Sequence, residues 1–466
     1  MISFEGLYVI YLVASICFIL AIRGLSTPQT ARMGNNLGMF GMGLAILATL
    51  LVLPTKNDFG ILSSCFLAAV AGVFMGNKVK MTALPQMIAF LNGVGGLSSV
   101  LVGIAQILHE NMYSFDATLG MVIGSVAFSG SMIAFFKLQG RLKKGRFIFS
   151  NVFNFALCGA VIFAWGEFAL YGHISGMCFL LLLTFVLGVG LTLPVGGADM
   201  PVVISVLNAF SGFAASAIGF CLSNVALIIT GAIVGASGTI LAVVMTKAMN
   251  RSLIEVFFKT LKESQGKGLE DKTAHVGSPR DAAFLMENAS KVIIVPGYGM
   301  AAAGAQHALK NMASILENKY HVEVKFAIHP VAGRMPGHMN VLLAEAKVSY
   351  DKVFGLEEIN PDFETADVAY VIGANDITNP LAKTDASSPL FGMPILEVSK
   401  AKTVFFVKRS LGAGYSGAQN PLFFADNTLM LYGDAKKVTE EVVAALNKRY
   451  AKDKKNAPKK EEKKSK

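Results

Sequence analysis

The chain has 466 residues, 53% of them hydrophobic and 15% charged, with five Cys and a formal net charge of +10. Soluble domains carry about 25% charged residues, so an ordinary soluble enzyme is excluded, as are a disordered chain and a disulfide scaffold. The charge is uneven: residues 1–252 hold 12 Lys/Arg against 6 Asp/Glu, residues 253–451 hold 21 against 22, and residues 452–466 hold 8 against 3. A nucleic-acid partner requires a basic face on a folded domain. The one segment that reads as such a domain is close to neutral, so no nucleic acid is expected.

A hydrocarbon core about 30 Å thick takes about 20 mostly apolar residues to cross. Nine stretches qualify, at roughly 5–23, 36–54, 59–77, 84–108, 117–137, 147–168, 174–194, 200–221 and 224–247. They assign residues 1–250 to a polytopic α-helical membrane domain of about nine spans. The first carries Glu5 and no basic n-region, so it reads as a span rather than a signal peptide. Asn92, Gly93, Gly95, Gly96, Ser98 and Ser99 interrupt the fourth. The loops alternate in charge. Arg23 and Arg32 follow the first span, Lys78 and Lys80 the third, Lys137, Arg141, Lys143, Lys144 and Arg146 the fifth, and Lys247 and Arg251 the ninth, whereas the opposite loops hold only Lys56. The positive-inside rule then places the N-terminus outside and the chain after the ninth span in the cytoplasm. Cys17, Cys65, Cys158, Cys178 and Cys221 lie in spans without metal-like spacing and read as apolar filler. Gly231, Gly235 and Gly238 put small residues on one face of the ninth span, suited to close helix packing.

Polar residues inside spans are costly and therefore informative. The eighth span opens at Asp199 and carries Ser205, Asn208 and Ser211 at every third position, read as one stripe. Asn92, Ser98 and Ser99 in the fourth span and Ser131 in the fifth can face the same cavity. Two readings stand: interhelical hydrogen-bond glue, or a hydrated proton path through Asn92, Ser131, Asp199 and Asn208. No His or buried Glu at mid-membrane offers an obvious titrating group.

Residues 251–288 have the composition of a linker. Strands are then predicted at Lys291–Val295, Val322–Ile328, Val353–Leu356, Val368–Ile372, Val404–Val407 and Leu429–Tyr432, with helices between several of them and a last helix over Ala435–Tyr450. This alternation predicts a doubly wound, Rossmann-like α/β domain over residues 289–450. Residues 451–466 form a Lys-rich tail, read as disordered or as bound to anionic lipid.

Gly297-Tyr298-Gly299-Met300-Ala301-Ala302 follows the first strand and opens a helix. The first Gly suits the tight turn, the second lets a pyrophosphate approach the backbone, and Ala302 permits close helix–strand packing. An NAD site usually carries an acid at the end of the second strand; here that strand ends Ile328-His329-Pro330. Lys408-Arg409-Ser410 at the end of the fifth strand reads as a solvated basic turn or as a 2′-phosphate site, and the missing acid favours NADP(H). Gly333 and Arg334 follow strand two, Gly373, Asn375 and Asp376 follow strand four, and Gly414 and Tyr415 lie in a glycine-rich stretch that reads as a mobile lid. Ligands bind at the carboxyl ends of parallel strands, so these loops converge on one site. No Ser-His-Asp order, Cys nucleophile or metal spacing is found. His307 and His321 read as surface residues.

The segments GGADMPVVISVLN, VPGYGMAAAGAQ, HPVAGRMPGHMNVLLAEA, IGANDITNP and KRSLGAGYSGAQNPLF together resemble the beta subunits of proton-translocating NAD(P) transhydrogenases. The resemblance implies a Re/Si-specific enzyme. NADP(H) would be bound here in an orientation reversed from the usual Rossmann one, with Lys408, Arg409 and Ser410 on its 2′-phosphate. It implies that Gly297, Gly299, Arg334, Asp376 and Tyr415 surround the nucleotide, with Asp376 and Tyr415 as the catalytic candidates and Tyr415 on the lid. It links Asp199, Asn208 and Ser131 to proton movement. Some relatives carry His where this chain has Asn92, and similar chains with Asn draw that His from the partner's membrane helices. The implied partner is an alpha subunit, in one or two chains, carrying NAD(H), in a dimer of alpha-beta units in a bacterial inner membrane. Inward proton flow would drive hydride transfer from NADH towards NADPH, and the chain would be inactive alone. The rival readings are a channel or solute transporter gated by a cytoplasmic dinucleotide domain, and an assembly subunit with a purely structural nucleotide.

Overall fold

The computed structural model describes residues 4–25, 30–52, 58–110, 113–142, 151–196, 199–258, 273–335, 337–412, 414 and 416–456. It divides into two compact units, one containing the long apolar helices and the other the sheet.

The first unit holds α1 (Phe4–Leu25), α2 (Ala31–Val52), α3 (Asp58–Lys78), α4 (Leu84–Glu110), α5 (Phe115–Leu138), α6 (Asn151–Tyr171), α7 (Ile174–Thr192), α8 (Met200–Cys221) and α9 (Val225–Ala248), followed by the short α10 (Leu253–Phe258). Among the described residues, nine helices are long and apolar enough to span a membrane. Length and hydropathy produce these helices directly, because in hydrocarbon every backbone N–H must be satisfied within its own segment. Packing then ranks them. In their most apolar windows 61% of residues are buried in both α5 and α8, against 0% in α3, so α5 and α8 form the centre of the bundle.

Small residues set the closest approaches. A Cβ on Gly96 of α4 would lie 2.6 Å from the Gly124 carbonyl of α5, and one on Gly212 of α8 would lie 2.8 Å from the Gly231 carbonyl of α9. The expected glycine face of α9 at Gly231, Gly235 and Gly238 does meet α8, through Ser216, Phe213 and Ala209. Such contacts let dispersion act between backbones that lipid cannot drive together.

The second unit opens with α11 (Pro279–Glu287) and continues as β1 (Lys291–Pro296), α12 (Tyr298–Ala303), α13 (Gln306–Tyr320), β2 (Glu323–Ile328), α14 (His338–Glu345), β3 (Val353–Gly355), α15 (Leu356–Ile359), β4 (Val368–Ile372), α16 (Leu381–Thr384), β5 (Thr403–Lys408), β6 (Thr428–Tyr432) and α17 (Ala435–Asn456). All strands are parallel, in the order β3-β2-β1-β4-β5-β6. This is the doubly wound dinucleotide-binding order, and its switch point lies between β1 and β4. Val292 pairs with both Val324 and Val368, and β4 is buried at all five positions, as a strand covered on both faces must be.

Two boundaries differ from the composition reading. Within the stretch expected to be a linker, 279–287 form α11, whose Ala282, Ala283 and Met286 are fully buried in the sheet core. The Gly277-Ser278-Pro279 run inside that stretch is a helix start: Ser278 and Asp281 form a capping box and Pro279 occupies the first turn. At the other end α17 runs on to Asn456, past the expected stop at Tyr450. The rest of the Lys-rich tail, 457–466, lies outside the described residues.

Candidate functional site

The turn after β1 is locked to the turn after β4. The Gly297 N–H donates to the Ile372 carbonyl at 2.9 Å and the Gly299 N–H to the Gly373 carbonyl at 2.8 Å. Gly373 sits at φ +66°, and a Cβ there would collide with Met300 N. A Cβ on Gly297 would lie 2.5 Å from the Gly373 carbonyl oxygen, and one on Gly299 2.5 Å from Gly373 Cα. Glycine is thus required on both sides of the switch point. The Gly297 and Gly299 amides are thus bonded inside the domain, to the end of β4 and the turn after it. Ala302, expected to pack on the sheet, is exposed, while Met300 and Ala301 are buried. The core-facing side of the six-residue α12 is formed by Met300, Ala301 and Ala303, which leaves Ala302 on its outer side.

The loop after β2 lies beside this turn. The Arg334 guanidinium stacks over the Tyr298 ring, 4.0 Å from its centroid. Gly333 adopts φ +113°, and the Arg334 N–H donates to His338 Nδ1 at 3.1 Å. That bond fixes the His338 tautomer, so its Nε2 carries the proton, and Nε2 is buried with no partner among the described residues. Burial and the neighbouring Arg334 push His338 down to about 4. His329 is also buried and pushed down to about 4; its Nδ1 accepts from the Val331 N–H and its Nε2 donates to the Pro394 carbonyl at 2.7 Å. Both rings are neutral at physiological pH. His307 and His321 are exposed, as expected.

Asp376, after β4, binds the glycine-rich stretch after β5. Its carboxylate accepts from the Ser416 N–H at 3.1 Å and the Ser416 hydroxyl at 2.9 Å. A Cβ on Gly414 would collide with Asp376, so the stretch can approach this closely only with glycine there. Asn375 presents its carbonyl to Asn420 Nδ2 at 3.2 Å, while its buried side-chain Oδ1 has no partner among the described residues. Tyr415 lies outside the described residues. Ser416 and Asn420 bond into this cluster although sequence reasoning did not single them out, whereas His338 closes the HPVAGRMPGH run after strand two that it did. Of the first two, only Asn420 carried a local signal, the Asn420-Pro421 dipeptide.

At the end of β5 the expected basic cluster is present. Lys408 Nζ donates to the Gly412 carbonyl at 2.7 Å and lies 4.4 Å from the Phe423 ring centroid. Burial pushes its ammonium down to about 8, with Asp376 pulling part of the way back. Arg409 is 73% exposed and paired with Asp434 at 2.6 Å, and Ser410 is exposed. The donors fit an NADP-type dinucleotide: an exposed Arg, a hydroxyl and a partly desolvated ammonium for a phosphate, with Asn375 Oδ1 and His338 Nε2–H left without partners among the described residues. Among the described residues no group of His, Cys, Asp or Glu is arranged to hold a metal.

In the helical unit Asn92 Nδ2 donates to the Ile204 carbonyl at 3.4 Å, and the Ser211 hydroxyl donates to the Asn92 carbonyl at 2.9 Å. Asn92 of α4 thus faces the side of α8 that carries Ile204, Asn208 and Ser211, which are four and three residues apart. Ser131 is fully buried on α5, its hydroxyl without a partner among the described residues, and a Cβ on Gly93 would lie 3.3 Å from Ser131 Cβ. The expected stripe splits at Ser205, which bonds to its own Pro201 carbonyl at 3.0 Å and lies 3.9 Å from Met245 Sδ on α9. A three-residue repeat precesses on a 3.6-residue helix, so Ser205 and Ser211 face different neighbours. Asp199 is 2% exposed at the N-terminus of α8, nine residues and so about 14 Å along the axis from Asn208. Asn92 therefore meets the face of α8 on which Asn208 lies, Ser131 lies against Gly93, the neighbour of Asn92, and Asp199 stands about 14 Å further along α8.

Apolar spanning helices together with a parallel sheet in this order define a multi-pass membrane protein with a Rossmann-like, NADP-type nucleotide domain. Residues 7–445 match the model of the NAD(P) transhydrogenase beta subunit family. The chain is 51% identical over 456 residues to the NAD(P) transhydrogenase subunit beta of Rhodospirillum rubrum, covering 94% of this chain and 98% of that one, and a second relative from a named strain of that organism matches equally. The chain belongs to the NAD(P) transhydrogenase beta subunit family. It is a subunit of a proton-translocating oxidoreductase, binds NADP(H), and works with an alpha subunit that holds NAD(H). The gated-channel alternative is not favoured.

Proposed function

We propose that the Asp376–Ser416 clamp opens and closes the nucleotide site in step with protonation of the helical unit. Bound NADP(H) and the partner's NAD(H) supply the hydride chemistry. This chain's residues do the rest. Lys408, Arg409 and Ser410 hold the 2′-phosphate at the end of β5, on the far side of β1 from β2, which reverses the usual Rossmann orientation. Gly297–Ala302 and Gly333–Arg334 border the pyrophosphate. Asp376, with Ser416, closes the lid that carries Gly414 and Tyr415, excluding water during transfer. The supporting observation is the pair of bonds from Ser416 to Asp376, because they join the lid to the loop of the central strand.

In the helical unit, protons pass Asn92, Ser131 and Asn208, with Asp199 as this chain's carboxylate at the end of the path. Asn92 cannot titrate, so a His from the partner's membrane helices supplies the mid-membrane group. Residues 1–250 act as the translocating domain and the sheet unit as the nucleotide domain, facing the cytoplasm from a bacterial inner membrane, in a dimer of alpha-beta units. Transfer is Re/Si-specific, depends on the partner, and runs towards NADPH when protons flow inward.

The test reconstitutes the chain with its alpha subunit in vesicles and follows lumenal pH during transfer to an NAD analogue. Coupled acidification is expected. Transfer at full rate without proton movement overturns the reading.

A further inference from the structure

The turn between α7 and α8 has an electrostatic need that its own residues do not meet. The last carbonyls of a helix lack intrahelical donors and carry the negative end of its dipole. α7 has no basic residue in its last turn, and the segment from Leu193 to Met200 contains no Lys or Arg, unlike the loops after α1, α3, α5 and α9. Asp199, which opens α8, makes no side-chain cap to that helix and adds a carboxylate.

Lys137, from the last turn of α5, supplies the missing cation. Its Nζ donates to the carbonyls of Leu193 at 2.6 Å, Val195 at 2.5 Å and Thr192 at 3.5 Å. An ammonium has three protons, and this turn offers it three acceptors. α5 comes near enough because Gly130 has no side chain: a Cβ there would lie 2.9 Å from Thr192 Oγ1 and 2.8 Å from Leu207 Cδ2 on α8. The buried Asp199 follows Val195 by four residues in the sequence. The Val195 N–H donates to the Thr192 carbonyl at 3.4 Å, and the Asp199 N–H to the Gly196 carbonyl at 3.2 Å.

We propose that Lys137 is a positioning residue for proton translocation. It ties the end of α7 and the following turn to α5, and so sets where the Asp199 carboxylate stands. The inference rests on the reading of Asp199 given above. A charge needed only for membrane topology could sit anywhere at the helix end, whereas this clamp needs donors at this one position.

Lys137→Met, Lys137→Arg and Asp199→Asn are compared in the full alpha-beta complex in vesicles. Two rates are measured: proton-coupled turnover, and hydride exchange from NADH to an NAD analogue through NADP(H) that stays bound. Lys137→Met is expected to lower coupled turnover tenfold or more with exchange within twofold of wild type, and Lys137→Arg to restore most of the loss. Coupled turnover within twofold of wild type in Lys137→Met overturns the proposal, as does an Arg variant as defective as Met. If Lys137→Met does not assemble, Lys137→Ala, which likewise removes the donors, is held to the same criteria. Normal pumping in Asp199→Asn removes the Asp199 reading itself; a dead Asp199→Asn beside a normal Lys137→Met removes only the role of Lys137.

Discussion

Lys408 carries the clearest pH signature at the scale of single residues. Its ammonium is pushed down to about 8 by burial, so its positive charge is full below that value and lost as pH rises through it. A 2′-phosphate gains from the charge. NADP+ affinity of the full chain is therefore expected to fall as pH rises through about 8, and Lys408→Met to flatten that fall. A hydrogen bond to a charged group contributes about 1.5–3 kcal/mol, so the variant should bind at least about tenfold more weakly near neutral pH. Titrations from about pH 6.5 to 9.5 check this, and an unchanged slope in the Met variant counts against the assignment. The Lys408-Arg409-Ser410 cluster was legible as a motif. The ammonium's desolvation was not, because Phe423 and Asp376 reach it from other parts of the chain. Ser416 was missed for the same reason: an isolated Ser in a Gly-rich run has no signature until the fold sets Asp376 beside it.

Elements were legible wherever periodicity or hydropathy repeats within one segment. β4 was placed at its observed bounds, and each of the nine spans overlaps its observed helix. What failed were the places where an element's end depends on its neighbours. α11 was hidden because its polar face and Gly-Ser-Pro entry look like a linker, yet α17 and the sheet bury its Ala282, Ala283 and Met286. Helix pairing followed small residues, and that is testable at the α8–α9 contact. A Cβ on Gly212 would meet the Gly231 carbonyl at 2.8 Å. Gly212→Val must push the two backbones apart, a change expected to cost at least about 1–3 kcal/mol. Thermal unfolding of the detergent-solubilised complex should show a lower Tm, and an unaltered Tm would argue against this packing.

At the scale of the whole molecule, the described residues contain one glycine-rich dinucleotide turn, between β1 and α12. Transhydrogenation needs two nucleotides held together. The chain alone in vesicles is thus expected to bind NADP(H) and show no transfer from NADH, with activity appearing when the alpha subunit is added; transfer by the chain alone would refute partner dependence.

The sequence by itself determined the two-part plan: apolar length sets spans, strand–helix alternation sets a parallel sheet, and the charge distribution of +6, about zero and +5 separates the membrane half, the nucleotide half and the tail. These are local or additive properties, summed over neighbouring residues. Only the tertiary structure decided that the Gly297 and Gly299 amides are bonded to the β4 side, that Ser205 turns away from Asn92, and that a lysine on α5 caps α7. Each of these joins groups distant in sequence, and an unsatisfied backbone group or a three-proton cation takes whichever partner packing brings within reach.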